Sequence, residues 1–359
     1  MKQNIIQERK NTMGKLKKKI GRFLAVLLIT ILFVLLILVI AIKMICSGIS
    51  ESAKILYATT MLETGQMKFL ATFFMSADEL QEIVNKNSVA TMSTEIDTDL
   101  ITIDNNQSDE DKNQIKIEEI SGQTFYAKMM IINDPSRVKL ATTYPWSEYG
   151  VELEKLVKDN DAIAGVNGGL YLSVGNKGGY PLGTVVCEGQ IQYNNPTGYA
   201  GLYLIGFDEE NKLRIINVDG KSASQIETIV KEEKIRDAVA FQEESSDANN
   251  HFVKLIINGE ERKVDGKGSG ANPRTAIGQR ADGTVLLLVT DGRGASGHLG
   301  ATAADLIKIM KDYGAVNAAN LDGGSSSSMY YNGKYEMTSV TFYYANSSWK
   351  LPTGFVVKK

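Results

Sequence analysis

The chain has 359 residues, 43% of them hydrophobic and 23% charged, with a formal net charge of −3. That length admits one large domain or two medium ones plus extensions, with a core that needs no disulfide. The slightly acidic balance excludes the strongly basic surface of a nucleic-acid binder.

In chain order, residues 1–22 form a basic tail. Lys2, Arg9, Lys10, Lys15, Lys17, Lys18, Lys19 and Arg22 face the single acid Glu8. Phe23 to Ile42 follows as twenty residues without a charge, a Gly or a Pro. That is the length needed to cross a bilayer core as a helix, so a transmembrane helix is predicted over 23–46. The basic flank predicts a cytoplasmic N-terminus and an extracytoplasmic remainder, in a single-pass cell-membrane protein. A cleaved signal would have a shorter apolar region ending in small residues, which Lys43-Met44-Ile45-Cys46 does not supply. The two cysteines, Cys46 and Cys187, are not expected to pair with each other.

Residues 47–87 read as a helical, membrane-proximal spacer. Met61, Leu62, Phe69, Leu70, Phe73 and Phe74 mark a rough helical stripe, and Ser76 with Glu79 starts a helix over Ala77 to Asn85. Residues 88–119 read as an acidic, flexible linker. Nine carboxylates there face only Lys112 and Lys116, and few large apolar residues remain to build a core. Their spacing is not that of a calcium loop.

The globular domain is expected over 120–359. Strand-like runs cover Phe125 to Ile132 and Val138 to Thr142, and a helix is expected over Val151 to Lys158. Further strands are expected at Ala162 to Val166, Thr184 to Val186, Leu202 to Phe207, Phe252 to Ile257, Val285 to Thr290 and Val316 to Leu321. Helices are expected at Gln225 to Lys234 and from Thr302, with Asp305 placed to complete its cap. Tyr330 to Tyr335 signals a hairpin around Asn332-Gly333. Strands outnumber helices, so the fold class is α+β: a mixed β-sheet domain with flanking helices, preceded by one transmembrane helix.

Three of the apolar runs end on turns of Asn or Asp followed by Gly: Asn167-Gly168-Gly169, Asp291-Gly292-Arg293 and Asp322-Gly323-Gly324. Ligands tend to sit just beyond strand ends. Arg274 and Arg293 are suited to bidentate grip of a phosphate or carboxylate. Gly323 and Gly324, followed by Ser325 and Ser326, suggest an anion-binding nest of backbone N–H groups. Asp291 and Asp322 supply the carboxylate pair used to cleave a glycosidic bond. Together these fit a substrate that is both a sugar and a phosphate ester. Gly292, Gly294 and Gly297 form G-x-G-x-x-G, but the next helix starts too late for a dinucleotide pyrophosphate. His298 lies in that loop and is a candidate to line the site; His251 reads as a surface loop residue. No His/Cys cluster has zinc spacing, and neither a metal nor a cofactor is expected.

With these residues in view, the domain resembles the phosphodiester glycosidase family. The matching segments are Gly165-Val166-Asn167-Gly168-Gly169-Leu170-Tyr171, Asn272-Pro273-Arg274-Thr275-Ala276-Ile277-Gly278, Asp291-Gly292-Arg293 and Asn320-Leu321-Asp322-Gly323-Gly324-Ser325-Ser326. Their order and spacing match over about Ile163 to Asn332. Two segments depart from the family pattern: Ser325 replaces a third Gly, and Gly300 to Asp305 differs before the helix. The resemblance implies hydrolysis of a sugar joined through its anomeric carbon to a phosphodiester, in a surface glycopolymer given the tether. Asp322 would be nucleophile or water-activating base and Asp291 the second carboxylate. Arg274, Arg293, Gly323, Gly324 and Ser325 would hold the phosphate, and Asn167 and Asn320 the sugar hydroxyls. The alternative is a non-catalytic module that binds cell-wall glycopolymers. The expected partners are a phosphorylated carbohydrate or glycopolymer and the membrane, with no nucleic acid.

Overall fold

Central strands that are apolar on both faces account for most of the architecture. The computed structural model describes residues 2–93, 95–103, 108–246, 250–339 and 346–359. They divide into two compact units, Met1–Tyr57 and Ala58–Lys359. The first contains the helix Lys2–Cys46, whose stretch Met13–Cys46 is long and apolar enough to cross a membrane; its most apolar part is not buried against protein, whereas Cys46 at its end is.

The second unit is built on three sheets. The largest has seven strands in the order Ile115–Ser121, Tyr126–Ile132, Val285–Thr290, Thr275–Arg280, Ala315–Asn320, Lys254–Ile257 and Glu260–Glu261. The second runs Lys334–Met337, Met329–Tyr331, Ala162–Asn167, Thr353–Lys358 and Val138–Thr142. The third runs Gln190–Asn195, Gly183–Cys187, Ile235–Gln242, Leu202–Asp208 and Leu213–Asn217. Neighbouring strands within these three sheets pair antiparallel. The α+β class expected from the sequence holds.

One face of each sheet meets a shared core. Met130, Ile277, Leu287 and Val289 of the first sheet pack with Leu140, Val166 and Phe355 of the second and Ile205, Phe207 and Val239 of the third. Successive strand residues point to opposite faces. The alternate residues Met129, Ile131, Leu286 and Leu288 therefore face outward, where the helix Ala303–Asp312 covers them with Leu306, Ile307, Ile309 and Met310. The helices Leu153–Asp159 and Ala223–Glu232 cover the outer faces of the other two sheets in the same way. Each fully buried aliphatic side chain contributes about 1.5–3 kcal/mol. Truncating Leu287 to Ala would cost roughly 2–5 kcal/mol, because the shared core cannot collapse around the gap. Thr302 and Asp305 form the capping box expected for Ala303–Asp312, and Ser76 caps Ala77–Asn85 by accepting from the Glu79 amide.

The expected domain boundary near Ile120 is corrected by the structure. The compact unit starts at Ala58, and Ile115–Ser121 pairs along its full length with Tyr126–Ile132. The residues read as an acidic linker run along sheet edges and loops. Ala90 N–H donates to the Lys263 carbonyl at 2.8 Å, Thr102 N–H to the Ala281 carbonyl at 2.8 Å, and Ile101 is buried. Backbone hydrogen bonds and a few isolated apolar anchors hold this stretch, so its low apolar content does not reflect how firmly it is attached. Thr94 and residues 104–107 of that stretch lie outside the described residues. The expected spacer is corrected likewise from Ala58 onward, because Ala58, Leu62, Leu80, Ile83 and Val84 are buried.

Candidate active site

The strands Val285–Thr290 and Ala315–Asn320 flank Thr275–Arg280 and run antiparallel to it. Their C-terminal ends therefore stand at the edge where Thr275–Arg280 begins. The register pairs Val289 with Thr275 and Asn320 with Ala276; continuing it puts Asp322 level with Arg274. Asn167 ends a strand of the second sheet and is tied to the same edge. Its Nδ2 donates to the Asp322 carbonyl at 2.6 Å, and its Oδ1 accepts from Thr275 Oγ1 at 2.7 Å and from the Ser328 amide at 3.2 Å. The three turns singled out in the sequence are brought together as expected.

Asp322 is partly buried. Burial pushes its carboxyl up to about 7, against the opposing pull of Ser326, the Gly323 amide and Arg293. Ser326 is itself held by Tyr171, whose hydroxyl lies 3.0 Å from Ser326 Oγ. Burial and the nearby Asp322 both raise the Tyr171 phenol, so it stays protonated. Arg293 Nη1 donates to Ser325 Oγ at 2.8 Å. The serine that departs from the family pattern thus supplies a partner for this guanidinium. Burial lowers Arg293 to about 10; neighbouring Arg274 pushes the same way, and Asp322 and Glu63 oppose. Arg293 has a left-handed backbone with φ 52°, a conformation that costs a non-glycine residue energy and concentrates at functional sites. Gly324 has φ 62°, which favours Gly, and a Cβ there would lie 2.6 Å from Arg293 Nη2, so a larger residue would have to displace that guanidinium.

Asp291 has a different setting. Its Oδ1 accepts from the Tyr126 amide at 2.7 Å, and its Oδ2 lies 2.6 Å from His298 Nδ1. It is a buried carboxylate engaged by the protein, paired with a histidine that is about a third exposed. The sequence puts His298 in the loop but does not reveal its partner. The pairing is made by the turn Gly292–Leu299, closed by Arg293 N–H to the Leu299 carbonyl at 3.1 Å and Gly294 N–H to the His298 carbonyl at 2.7 Å.

Several expected roles are altered by these contacts. Asn167 is buried and pins the Asp322 turn, with its Oδ1 accepting two hydrogen bonds and its Nδ2 donating one. Asn320 is also buried; its Nδ2 donates to the Phe252 carbonyl at 3.0 Å. The expected nest is largely spent as well. Gly324 N–H donates to the Pro273 carbonyl at 2.8 Å, Ser326 N–H to the Gly323 carbonyl at 3.1 Å, and Gly323 N–H to the Asp322 carboxylate. Asn320 Oδ1, Arg293 Nε and Ser327 Oγ are buried without a hydrogen-bond partner among the described residues. Such groups cost about 1–3 kcal/mol each unless something satisfies them. Arg274 is buried; its Nε donates to the Ala301 carbonyl at 3.3 Å, and its guanidinium carbon stands 4.9 Å from the centre of the Phe252 ring. His251 is corrected from a surface residue. It is enclosed beside Phe241, and burial, with Lys68 and Arg274 nearby, lowers its imidazole to about 4. It is therefore neutral near pH 7. No group of three His, Cys, Asp or Glu able to hold a metal occurs among the described residues.

Known proteins point the same way. The phosphodiester glycosidase family profile matches residues 160–358, more than half of the chain. The catalytic domain of zebrafish N-acetylglucosamine-1-phosphodiester alpha-N-acetylglucosaminidase, solved as auto-inhibited by its pro-peptide, superposes with a TM-score of 0.51 at 18% identity. That match covers 68% of this chain and 82% of the zebrafish one, and it shows a shared fold. The SPbeta prophage-derived uncharacterized protein YomE of Bacillus subtilis (strain 168) is 45% identical over 64 residues. That segment is 18% of this chain and spans only 10% of that relative's length.

Proposed function

Because the chain belongs to the phosphodiester glycosidase family, we propose that it hydrolyses the bond between a sugar's anomeric carbon and a phosphodiester. The observation that carries this is the pair of neighbouring guanidinium groups, buried Arg274 and part-buried Arg293, beside the raised carboxyl of Asp322. Glu63 already pairs with Arg274 from one side, and the remaining positive charge of the two groups, held largely out of water, favours a further anion. A phosphate oxygen is suited to that place and to the orphaned Arg293 Nε.

The chemistry follows from those positions. The C1–O bond to phosphate breaks, its electron pair leaves with the phosphate monoester, and positive charge develops at the anomeric carbon. The arginines stabilise the departing anion. Asp322, with its carboxyl near 7, accepts the proton of the water that attacks C1. Asp291 acts through His298, holding the imidazole by Nδ1 so that Nε2 faces away from the pair. This replaces the simpler role of second carboxylate.

The apolar N-terminal helix suits a membrane-anchored enzyme, with the basic tail in the cytoplasm and the catalytic unit outside. A surface glycopolymer built on sugar-1-phosphate links is the substrate class within reach of such a tether. The test is release of reducing sugar by the detergent-solubilised full chain across a panel of sugar-1-phosphodiesters, starting with N-acetylglucosamine. Turnover is the expected result. Binding of these diesters without turnover of any would instead establish a glycopolymer-binding module. Protease added to intact, wall-stripped cells should digest the catalytic unit; full protection would reverse the proposed orientation.

A further inference from the structure

Arg274 is the more heavily committed of the two cations, and its charged partner comes from far away in the chain. The Glu63 carboxylate is buried and receives four donors. Its Oε1 accepts from the Gly270 amide at 2.6 Å and from Asn250 Nδ2 at 3.3 Å. Its Oε2 accepts from Asn272 Nδ2 at 3.2 Å and from Arg274 Nη2. Burial pushes this carboxyl up, against the pull of Arg274 and its amide donors. The backbone around it is seated just as closely. Ala271 N–H donates to Thr60 Oγ1 at 3.1 Å, and Thr64 Oγ1 lies 3.2 Å from Asn272 Oδ1. A Cβ on Gly270 would stand 2.4 Å from the Thr60 nitrogen, so the segment docks only against glycine there.

These contacts leave Arg274 little freedom. Nη2 is held by Glu63, the Gly270 carbonyl at 2.9 Å and Ser269 Oγ at 3.3 Å; Nε is held by Ala301. Nη1 carries no hydrogen bond among the described residues. We infer that Glu63 is a positioning residue: it fixes the Arg274 guanidinium so that Nη1 is presented to an anionic group, which makes 58–64 a wall of the site. The inference rests on the proposed role of Arg274 in the phosphate grip. It gives a function to a segment that sequence patterning reads as a spacer.

The chemistry of the cradle demands a carboxylate. All four partners present donors, two to each oxygen. Glutamine offers one acceptor oxygen and would turn its NH2 toward two donors. Glu63→Gln therefore keeps the volume but releases one side of the cradle. Glu63→Asp keeps the charge and withdraws the carboxylate by one methylene.

The test is a double-mutant cycle in the detergent-solubilised full chain, pairing each Glu63 variant with Arg274→Ala. Turnover of the methyl phosphodiester of N-acetylglucosamine and the Kd of inorganic phosphate are read alongside Tm. If Glu63 acts through Arg274, Glu63→Gln lowers kcat/KM by about tenfold or more with Arg274 present and by less than about twofold in Arg274→Ala. Equal losses in both backgrounds would reduce Glu63 to a purely structural residue. A gain in kcat/KM for Glu63→Gln would mean that the carboxylate occupies the ligand's place, and would also overturn the inference. Should Glu63→Gln fail to fold, Glu63→Asp makes the same comparison. If the wild type binds phosphate but releases no sugar from any diester, the proposed reaction fails while the cycle still reads on phosphate Kd. There, non-additivity of about threefold or more supports the positioning role, and additivity refutes it.

Discussion

The two Asp-Gly turns look alike in sequence, and the structure gives them different chemistry. Both follow buried strands that flank Thr275–Arg280. Asp291 is tied to the Tyr126 amide and to His298, so both of its carboxyl oxygens are engaged by neighbouring groups. Asp322 is braced by Ser326 and the Gly323 amide, and burial lifts its carboxyl to about 7. A carboxylate with that value is suited to exchange protons near neutral pH, whereas one held in a fixed pair is suited to hold. The partner each turn meets across the fold decides which it becomes.

The largest effect expected from this contrast is on Asp322. Asp322→Asn keeps the shape and removes the proposed base, and should lower kcat by about 10²–10⁴-fold, the usual contribution of positioned proton transfer. Affinity for a non-hydrolysed diester should change far less, because the loss falls on the transition state. Single-turnover kinetics beside calorimetry measures both, and an unimpaired Asp322→Asn enzyme would break the contrast. Asp291→Asn should cost less, about 10–100-fold, by loosening the orientation of His298. His298→Ala added to it should cost no more than about threefold further, since the two act as a unit. A larger loss from Asp291→Asn than from Asp322→Asn would exchange the two roles.

The turn geometry offers a smaller test. Gly324→Ala forces a side chain into a left-handed position and against Arg293, and should destabilise the protein by roughly 1–3 kcal/mol. It should also raise the phosphate Kd by displacing that guanidinium. A normal melting temperature with normal phosphate binding would mean that the two turns do not constrain each other.

The smallest effect is on stability, and its sign follows from the raised carboxyl. Below the ordinary aspartate range the folded and unfolded states both hold the Asp322 proton, and the group costs nothing. Between about 4 and 7 the unfolded chain has released the proton while the folded one keeps it, so stability falls as pH rises; above about 7 the loss is complete. Asp322→Asn removes that loss. Its melting temperature should exceed that of the wild type by about a few degrees at pH 8, with the gap closing toward pH 4. A gap that does not change with pH would place the Asp322 carboxyl near its ordinary value.

The local sequence determined a good deal. Val285–Thr290 and Val138–Thr142 are strands at the expected bounds, Ser76 and Thr302 start the expected helices, and the α+β class follows from their number. The strand-end turns and the family were legible too, because Gly, Asp and Arg at fixed offsets encode backbone shape and charge within a few residues. Tertiary structure alone decided the partners. Nothing near Glu63 in the chain announces Arg274, which lies 211 residues away. Nothing in residues 88–119 announces that their backbone would bond to sheet edges. Sequence patterning detects apolar periodicity and local turn chemistry. A single buried carboxylate, or a polar strand held by backbone hydrogen bonds, leaves no periodic trace, since its stabilisation comes from groups brought near only when the three sheets close on their core.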